Sequence, residues 1–235
     1  MVTVPRFEKI PFLVHGFGDR ASSAAAIRRA FPDLSFRSVG LRQVHSDTVR
    51  FVDRIPGTVL RGDAVATRTP GLLLIVKTAD CLPVLLVDET RGAVAAVHCG
   101  WRGTLAGILE KTVRGMARRY GSEPGRLLAA LGPCIGSGCY EVGEDVRGRF
   151  REAGFPARLF RARPGRPGKS LLDLAAANRL QLRRSGVTAR NIFAVGICTH
   201  CDQRYPSYRR DSRAAGRMLS FIGLLPLPSN FSRSG

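Results

Sequence analysis

Lysine is nearly missing from this sequence. Of 37 basic residues only Lys9, Lys77, Lys111 and Lys169 are lysines, and 18 acidic residues leave a formal charge of +19. The arginines are scattered along the whole chain, with no basic tail and no recognised module with interleaved aromatics. That speaks against a nucleic-acid partner and for a compositional habit, whose functional remainder is a field attracting anionic, especially phosphorylated, small molecules. Long apolar runs are also lacking, which argues against a helical membrane span of about eighteen residues or more. The opening "MVTVPRFEKIPFLVHGF" has no apolar leader with a small-residue cleavage site, so the expected location is the cytoplasm. The cysteines at 81, 99, 134, 139, 198 and 201 fit no small secreted framework and are expected to be free thiols or metal ligands.

What is present suits a packed core. With 235 residues at 44% hydrophobic, one domain over 1–235 is expected, ending in a mobile tail from 225. Apolar runs of strand length recur at 11–14, 47–52, 63–67, 72–76, 82–87, 92–97, 127–131, 191–197 and 218–222. Helical spacing marks Thr104 to Tyr120, Val142 to Ala153 and Leu171 to Arg184, the last with Ser170 as its expected cap. The runs at 72–76, 82–87 and 92–97 follow one another without a helix, which favours an antiparallel or mixed sheet over a doubly wound one. "FRARPGRPGK", from Phe160 to Lys169, reads as a Pro/Gly-rich loop.

The chemistry-bearing residues sit at the interruptions of apolar runs. "AVAAVHCGWRG" delivers His98, Cys99, Trp101 and Arg102 at the end of one; "LLLIVKTADCLPVLLVD" carries Asp80 and Cys81 inside another; "LRQVHSDTV" places His45 before a third. Singly, each histidine is more often structural or surface than a ligand. Together, two histidines and a cysteine separated by 36 and 17 residues can meet on neighbouring strands. Three N/S ligands with an open fourth position describe a catalytic zinc site. No H-E-x-x-H motif supports the set, and the Cys198/Cys201 pair is a lone C-x-x-C. "LGPCIGSGCYEVGEDV" is glycine-rich enough to line a substrate or simply to turn, and matches neither a P-loop nor a dinucleotide fingerprint. Arg209 and Arg210 in "CTHCDQRYPSYRRD" could clamp a phosphate or carboxylate, or form a solvated corner.

In order, "RQVHSDTV", "GDAVATRTPGLLLIVKTADCLPVLLVD", "AAVHCGWRGTLAGI", "LGPCIGSGCYEVG" and "CTHCDQRYPSYRRDSRAAGRM" resemble the conserved blocks of the YfiH-like family. That family has been called laccase-like, purine nucleoside phosphorylase and peptidoglycan editing factor. The resemblance implies a mixed α/β (α+β) fold, a layered αββα-type sandwich related to a cysteine-hydrolase toxin fold. It implies one zinc ion on His45, Cys81 and His98, with Trp101 and Arg102 turning the chain into the next helix and lining the site. It further implies phosphorolysis of adenosine, inosine, guanosine and methylthioadenosine, with adenosine deamination. Two departures stand out. The segment from His15 to His45 is short and lacks the family's Gly-Gly-x-Ser turn, although Arg20 matches its arginine; and Cys99 replaces a usual alanine.

Several chemistries compete for this site. In the nucleoside reading Arg20, Arg102, Arg209 and Arg210 are the candidate oxyanion partners, with Asp80 supporting Cys81. The same zinc could instead cleave a mis-incorporated serine amide in a nucleotide-linked cell-wall precursor. A metal-free alternative makes Cys81 a nucleophile and His98 its base. Copper oxidation is disfavoured, because four histidines are too few for a multicopper set and Met1, Met116 and Met218 stand away from the ligand blocks. No obligate protein partner is evident.

Overall fold

The computed structural model describes residues 1–31 and 36–226. Its first half contains α1 (Pro5–Glu8), β1 (Leu13–Phe17), α2 (Ala24–Ala30), β2 (Arg37–Gly40), β3 (Val49–Phe51), β4 (Ala64–Thr67), β5 (Leu72–Thr78), β6 (Leu82–Asp88) and β7 (Ala93–Cys99). Then come α3 (Trp101–Leu105), α4 (Ile108–Tyr120), β8 (Leu128–Leu131), β9 (Glu141–Gly143) and α5 (Glu144–Glu152). The remainder is β10 (Phe160–Ala162), β11 (Lys169–Leu172), α6 (Leu174–Arg184), β12 (Ile192–Ala194), α7 (Tyr208–Asp211) and β13 (Met218–Leu224).

A six-stranded sheet of order β12-β8-β6-β7-β4-β3 packs on a four-stranded sheet of order β1-β13-β5-β2. The pleat explains the layering. Val84, Leu86, Ala95 and Val97 share a cluster with Ile108, Leu109, Val113 and Met116 of α4 and Leu182 of α6. Their strand neighbours Leu85, Val87, Val94 and Ala96 instead meet Leu72, Leu74, Val76 and Ile222 of the second sheet. The far face of that sheet, through Val14, Leu73, Ile75 and Phe221, covers Ile27 of α2. The result is the expected αββα sandwich. Strands covered on both faces read as unbroken apolar runs, which is why alternation is hard to see in them.

All nine expected strands form, with shifted ends, but their grouping differs from the sequence reading. β6 and β7 pair antiparallel, whereas β5 pairs with β13 and β2 in the other sheet. The chain therefore crosses between sheets at Ala79–Cys81. The expected helix 104–120 is two helices, because Gly107 takes φ +77 and interrupts it. Asp173, not Ser170, caps α6 by accepting from the Ala176 N–H at 2.7 Å; Ser170 lies in β11. The 160–169 segment is a β10–β11 hairpin rather than a loop. Leu225 donates to the Phe12 carbonyl at 2.8 Å, so the chain is still anchored there; the rest of the expected tail, 227–235, lies outside the described residues. None of the six cysteines forms a disulfide, and among the described residues no helix is long and apolar enough to cross a membrane.

His15 shows how a polar group is held inside β1. Its Nε2 accepts the Val4 N–H at 2.9 Å, and burial pushes its pKa down to about 4. The unfolded chain takes up this proton below about pH 6.5, while the folded chain resists until about pH 4. Stability therefore falls as pH drops through that window, by up to about 3 kcal/mol. In chemical denaturation at pH 7, 5.5 and 4, His15→Gln should lose less stability on acidification than the wild type. Parallel losses in the two proteins would show that His15 does not titrate as the fold requires.

Candidate metal centre and its cavity

Three backbone features bring the donor side chains together. Cys81 lies where the chain leaves the four-stranded sheet and enters β6, just after Asp80 at φ +81. His98 follows Val94 and Ala96 on the inter-sheet face of β7, so the strand period aims it between the sheets. His45 takes φ +59 in the loop before β3, a left-handed conformation that needs external support in a non-glycine residue.

That support is Asp63. Its carboxylate accepts the backbone N–H groups of Val44 (3.2 Å), His45 (3.0 Å) and Ser46 (2.7 Å) and the Ser46 hydroxyl (2.7 Å). It also meets Nδ1 of His98 at 2.8 Å. Pairing Nδ1 with a carboxylate orients the ring and leaves Nε2 as the donor atom for a metal. Burial alone would raise the Asp63 pKa, but His98 and Ser46 outweigh it and hold the group well below the usual carboxylate range.

His45, Cys81 and His98 place ligand atoms within 4.8 Å of one another. Tetrahedral zinc ligands sit roughly 3.3–3.6 Å apart, so a small adjustment suffices. Burial disfavours the Cys81 thiolate, yet hydrogen bonds with His45 and His98 bring its pKa down to about 6. Burial likewise opposes protonation of His98, but Asp63 and Cys81 raise it to about 9. The donor set is thus a Cys81 thiolate beside a protonated His98 ring, whose Nε2 proton a binding cation would displace. Gly100 completes the packing: a Cβ there would lie 3.1 Å from His45 Cδ2 and 3.2 Å from Cys81 Sγ.

The three donors line a cavity of about 470 Å³, within the range of small-molecule sites. Other walls come from Gln43, Lys77, Thr78, Tyr140, Tyr208, Arg209 and Arg217. Asp80 ties these walls together. One carboxylate oxygen accepts the Thr199 hydroxyl at 2.7 Å and the other the Arg209 N–H at 2.6 Å. The Arg209 guanidinium donates to the Glu141 carbonyl at 2.9 Å and lies over the Tyr140 ring. Burial keeps the Tyr140 hydroxyl protonated. Thr78 Oγ1 is buried without a hydrogen-bond partner.

The other expected site residues fall elsewhere. Arg20 does not line the cavity; it pairs with Asp211 at 2.6 Å and reaches the Gln203 and Tyr205 carbonyls. Arg210 spends its donors on Asp211 and on the Thr199, His200 and Tyr205 carbonyls. Both arginines hold the 199–211 segment in place. Trp101 opens α3 and packs with the Val146–Phe150 cluster, with the exposed Arg102 stacked on its ring at 4.5 Å; neither lines the cavity. Cys99 packs on the α4 side of the sheet. Met218, distant in sequence from the ligand blocks, is the strand partner of Thr78. Asp63, Lys77, Thr78, Tyr140 and Arg217 were missed by sequence reasoning. Asp63 stood within the quoted "GDAVAT" block, but nothing in its spacing marks it as the support of a histidine.

The two-sheet sandwich thus carries a metal-competent donor set that opens on a ligand-sized cavity. The chain belongs to the YfiH-like family described as multi-copper polyphenol oxidoreductase laccase, whose profile matches residues 8–225. It is 42% identical to a purine nucleoside phosphorylase of Deinococcus radiodurans over 88% of this chain and 76% of that one. It is 37% identical to the Escherichia coli purine nucleoside phosphorylase YfiH, over 95% and 90%. An adenosine deaminase, RL5, from an unknown prokaryote is 38% identical over 78% and 72%. Among solved structures, YlmD of Geobacillus stearothermophilus superposes with a TM-score of 0.81 at 32% identity, over 95% and 94%. The names of these relatives support a nucleoside-processing activity in the family.

Asp63→Asn removes the charge that orients His98 and should weaken Zn²⁺ or Co²⁺ binding roughly 10–100-fold. Chelator competition on the folded variant measures this. Unchanged affinity would reduce Asp63 to a loop clamp.

Proposed function

We propose that this chain is a zinc-dependent enzyme that splits purine nucleosides with phosphate, adenosine, inosine, guanosine and methylthioadenosine among them, and that the same site deaminates adenosine. One observation carries the reading: a His₂Cys donor set, a buried unpartnered hydroxyl and three cationic side chains meet in a single cavity. The names of the relatives point the same way. His45, Cys81 and His98 would hold the zinc ion, three protein ligands being the number that catalytic zinc sites use. When bound, the ion supplies a Lewis acid that polarises a substrate oxygen and makes water a nucleophile near neutral pH.

The chain's own residues do the rest. Leu41, Ile135, Leu174 and the Tyr140 ring give a purine apolar walls. Lys77, Arg209 and Arg217 have no carboxylate partner among the described residues, so their charge is free for phosphate oxygens. In phosphorolysis a phosphate oxygen bonds to C1′ of the ribose as the C1′–N9 bond breaks, and the electron pair leaves with the base. Holding phosphate against the ribose converts this into a reaction between positioned neighbours. Thr78 Oγ1 and the protonated Tyr140 hydroxyl are donors for ribose or base atoms.

Copper oxidation, which the family's description suggests, fits less well. Four-electron oxidation needs several copper ions, the chain has four histidines, and His15 is spent on Val4.

The test incubates wild type and His45→Ala with adenosine, with and without phosphate. Phosphate-dependent adenine release, and phosphate-independent inosine release, should both fall at least 100-fold in the variant, with loss of one zinc equivalent. Zinc loss without either product in the wild type would remove the nucleoside reading. In a second experiment, Arg209→Met should raise the KM for phosphate about 10–100-fold, the range for losing a charged hydrogen bond. An unchanged phosphate KM would remove Arg209 from the anion site.

A further inference from the structure

The C-x-x-C pair left over from the sequence has a third member in space. We propose that Cys139, Cys198 and Cys201 form a second metal site, a three-thiolate seat for Zn²⁺ that ties the loop before β9 to the segment before α7. The three sulfurs lie within 4.8 Å of one another, and Cys139 Sγ is 3.3 Å from Cys201 Sγ. None of them belongs to the His45–Cys81–His98 set.

The local backbone is built for a thiolate. Cys198 Sγ accepts the Gly136 N–H at 3.1 Å. Cys198 and Cys201 come from one C-x-x-C turn, a ligand spacing that structural zinc sites use, and Cys139 joins them from the other segment. Gly136 permits the approach: a Cβ there would stand 3.1 Å from Cys198 Sγ. The scaffold beneath is firm. Cys134 and Cys198 form a parallel bridge, with Thr199 donating to the Cys134 carbonyl at 3.0 Å and Asp202 to the Cys198 carbonyl at 3.0 Å.

Three thiols at one point favour a metal over a disulfide. A Cys139–Cys201 bond would require a two-electron oxidant, release two protons and leave Cys198 unused. A divalent ion held by the three sulfurs would balance their charge and needs no oxidant. The consequence reaches the cavity, because the two tied segments carry Tyr140 and Tyr208–Arg209.

The full chain, reduced and stripped with chelator, is titrated anaerobically with Zn²⁺ and with Co²⁺. Wild type should take two equivalents, and His45→Ala one. The Co²⁺ form of His45→Ala should show a strong thiolate-to-metal charge-transfer band that Cys201→Ser, at an exposed position, abolishes in the double variant. Cys139→Ala should abolish it too, with circular dichroism confirming that both variants fold. A reduced His45→Ala chain that takes no metal, or a band that survives both cysteine substitutions, would overturn the second site. So would a wild type whose only metal is lost with His45. A wild type whose only metal is lost with Cys201 would uphold it and overturn the first site instead.

Discussion

Asp63 carries a buried negative charge on which five donors close, three from consecutive backbone amides, one from a hydroxyl and one from an imidazole. No other group could serve all of them. The amides fold the 44–46 loop around the carboxylate and force His45 into the left-handed region, while the imidazole fixes which nitrogen of His98 faces the other donors. Asp63 is itself held between strands: its N–H reaches the Thr48 carbonyl at 3.0 Å, and its carbonyl takes the His98 N–H at 2.7 Å. A buried carboxylate is costly unless fully hydrogen-bonded, so loop, ring and charge stand or fall together.

The strain in the fold gathers at the same place. Among the described residues only His45, Asp80 and Ser212 are non-glycine positions with positive φ. Two of these belong to or adjoin the donor set, and both are stabilised by carboxylate hydrogen bonds. Asp80 answers its own unfavourable φ by gripping Thr199 and the Arg209 amide, 119 and 129 residues away. The crossing between sheets thus exposes Cys81 to the inter-sheet space and anchors the opposite cavity wall in a single turn. Such strain persists only when the surroundings over-determine it, and here each surrounding contact also positions a cavity residue.

How legible this was in the sequence depends on the range of the interaction. The nine long apolar runs announced their strands, and the histidines and cysteine at the interruptions announced a donor set. β2, β9, β10 and β11 escape the sequence reading because three- and four-residue strands leave almost no period, and the Pro/Gly turn of Phe160–Lys169 hides a hairpin behind a loop-like composition. The assignment of β5 to the other sheet could not be read, since adjacent runs pair with each other or not by tertiary packing alone. Arginine roles were the weakest inference. Arg20 and Arg210 looked like oxyanion partners, yet each meets Asp211 and main-chain carbonyls. A guanidinium suits carbonyl clusters and phosphates equally well, so sequence cannot separate the two uses.

That division of the arginines clarifies what the large positive charge does. Nine of the described arginines meet carboxylates, pairs that contribute little to stability at the surface, and the excess of basic over acidic residues leaves a field around the whole molecule. Lys77, Arg209 and Arg217 differ from these by position rather than by type. They face a cavity whose only lining carboxylate among the described residues, Asp80, already accepts two hydrogen bonds. Charge left uncompensated in a recess is where an anion gains most, because nearby low-dielectric walls strengthen the attraction that solvent would screen outside. In the proposed reading, these three cations are what the cavity offers an anionic or oxyanion-bearing ligand, while the Asp80 carboxylate is turned to Thr199 and the Arg209 amide. That same residue, through the turn at φ +81, is the one that places the Cys81 sulfur.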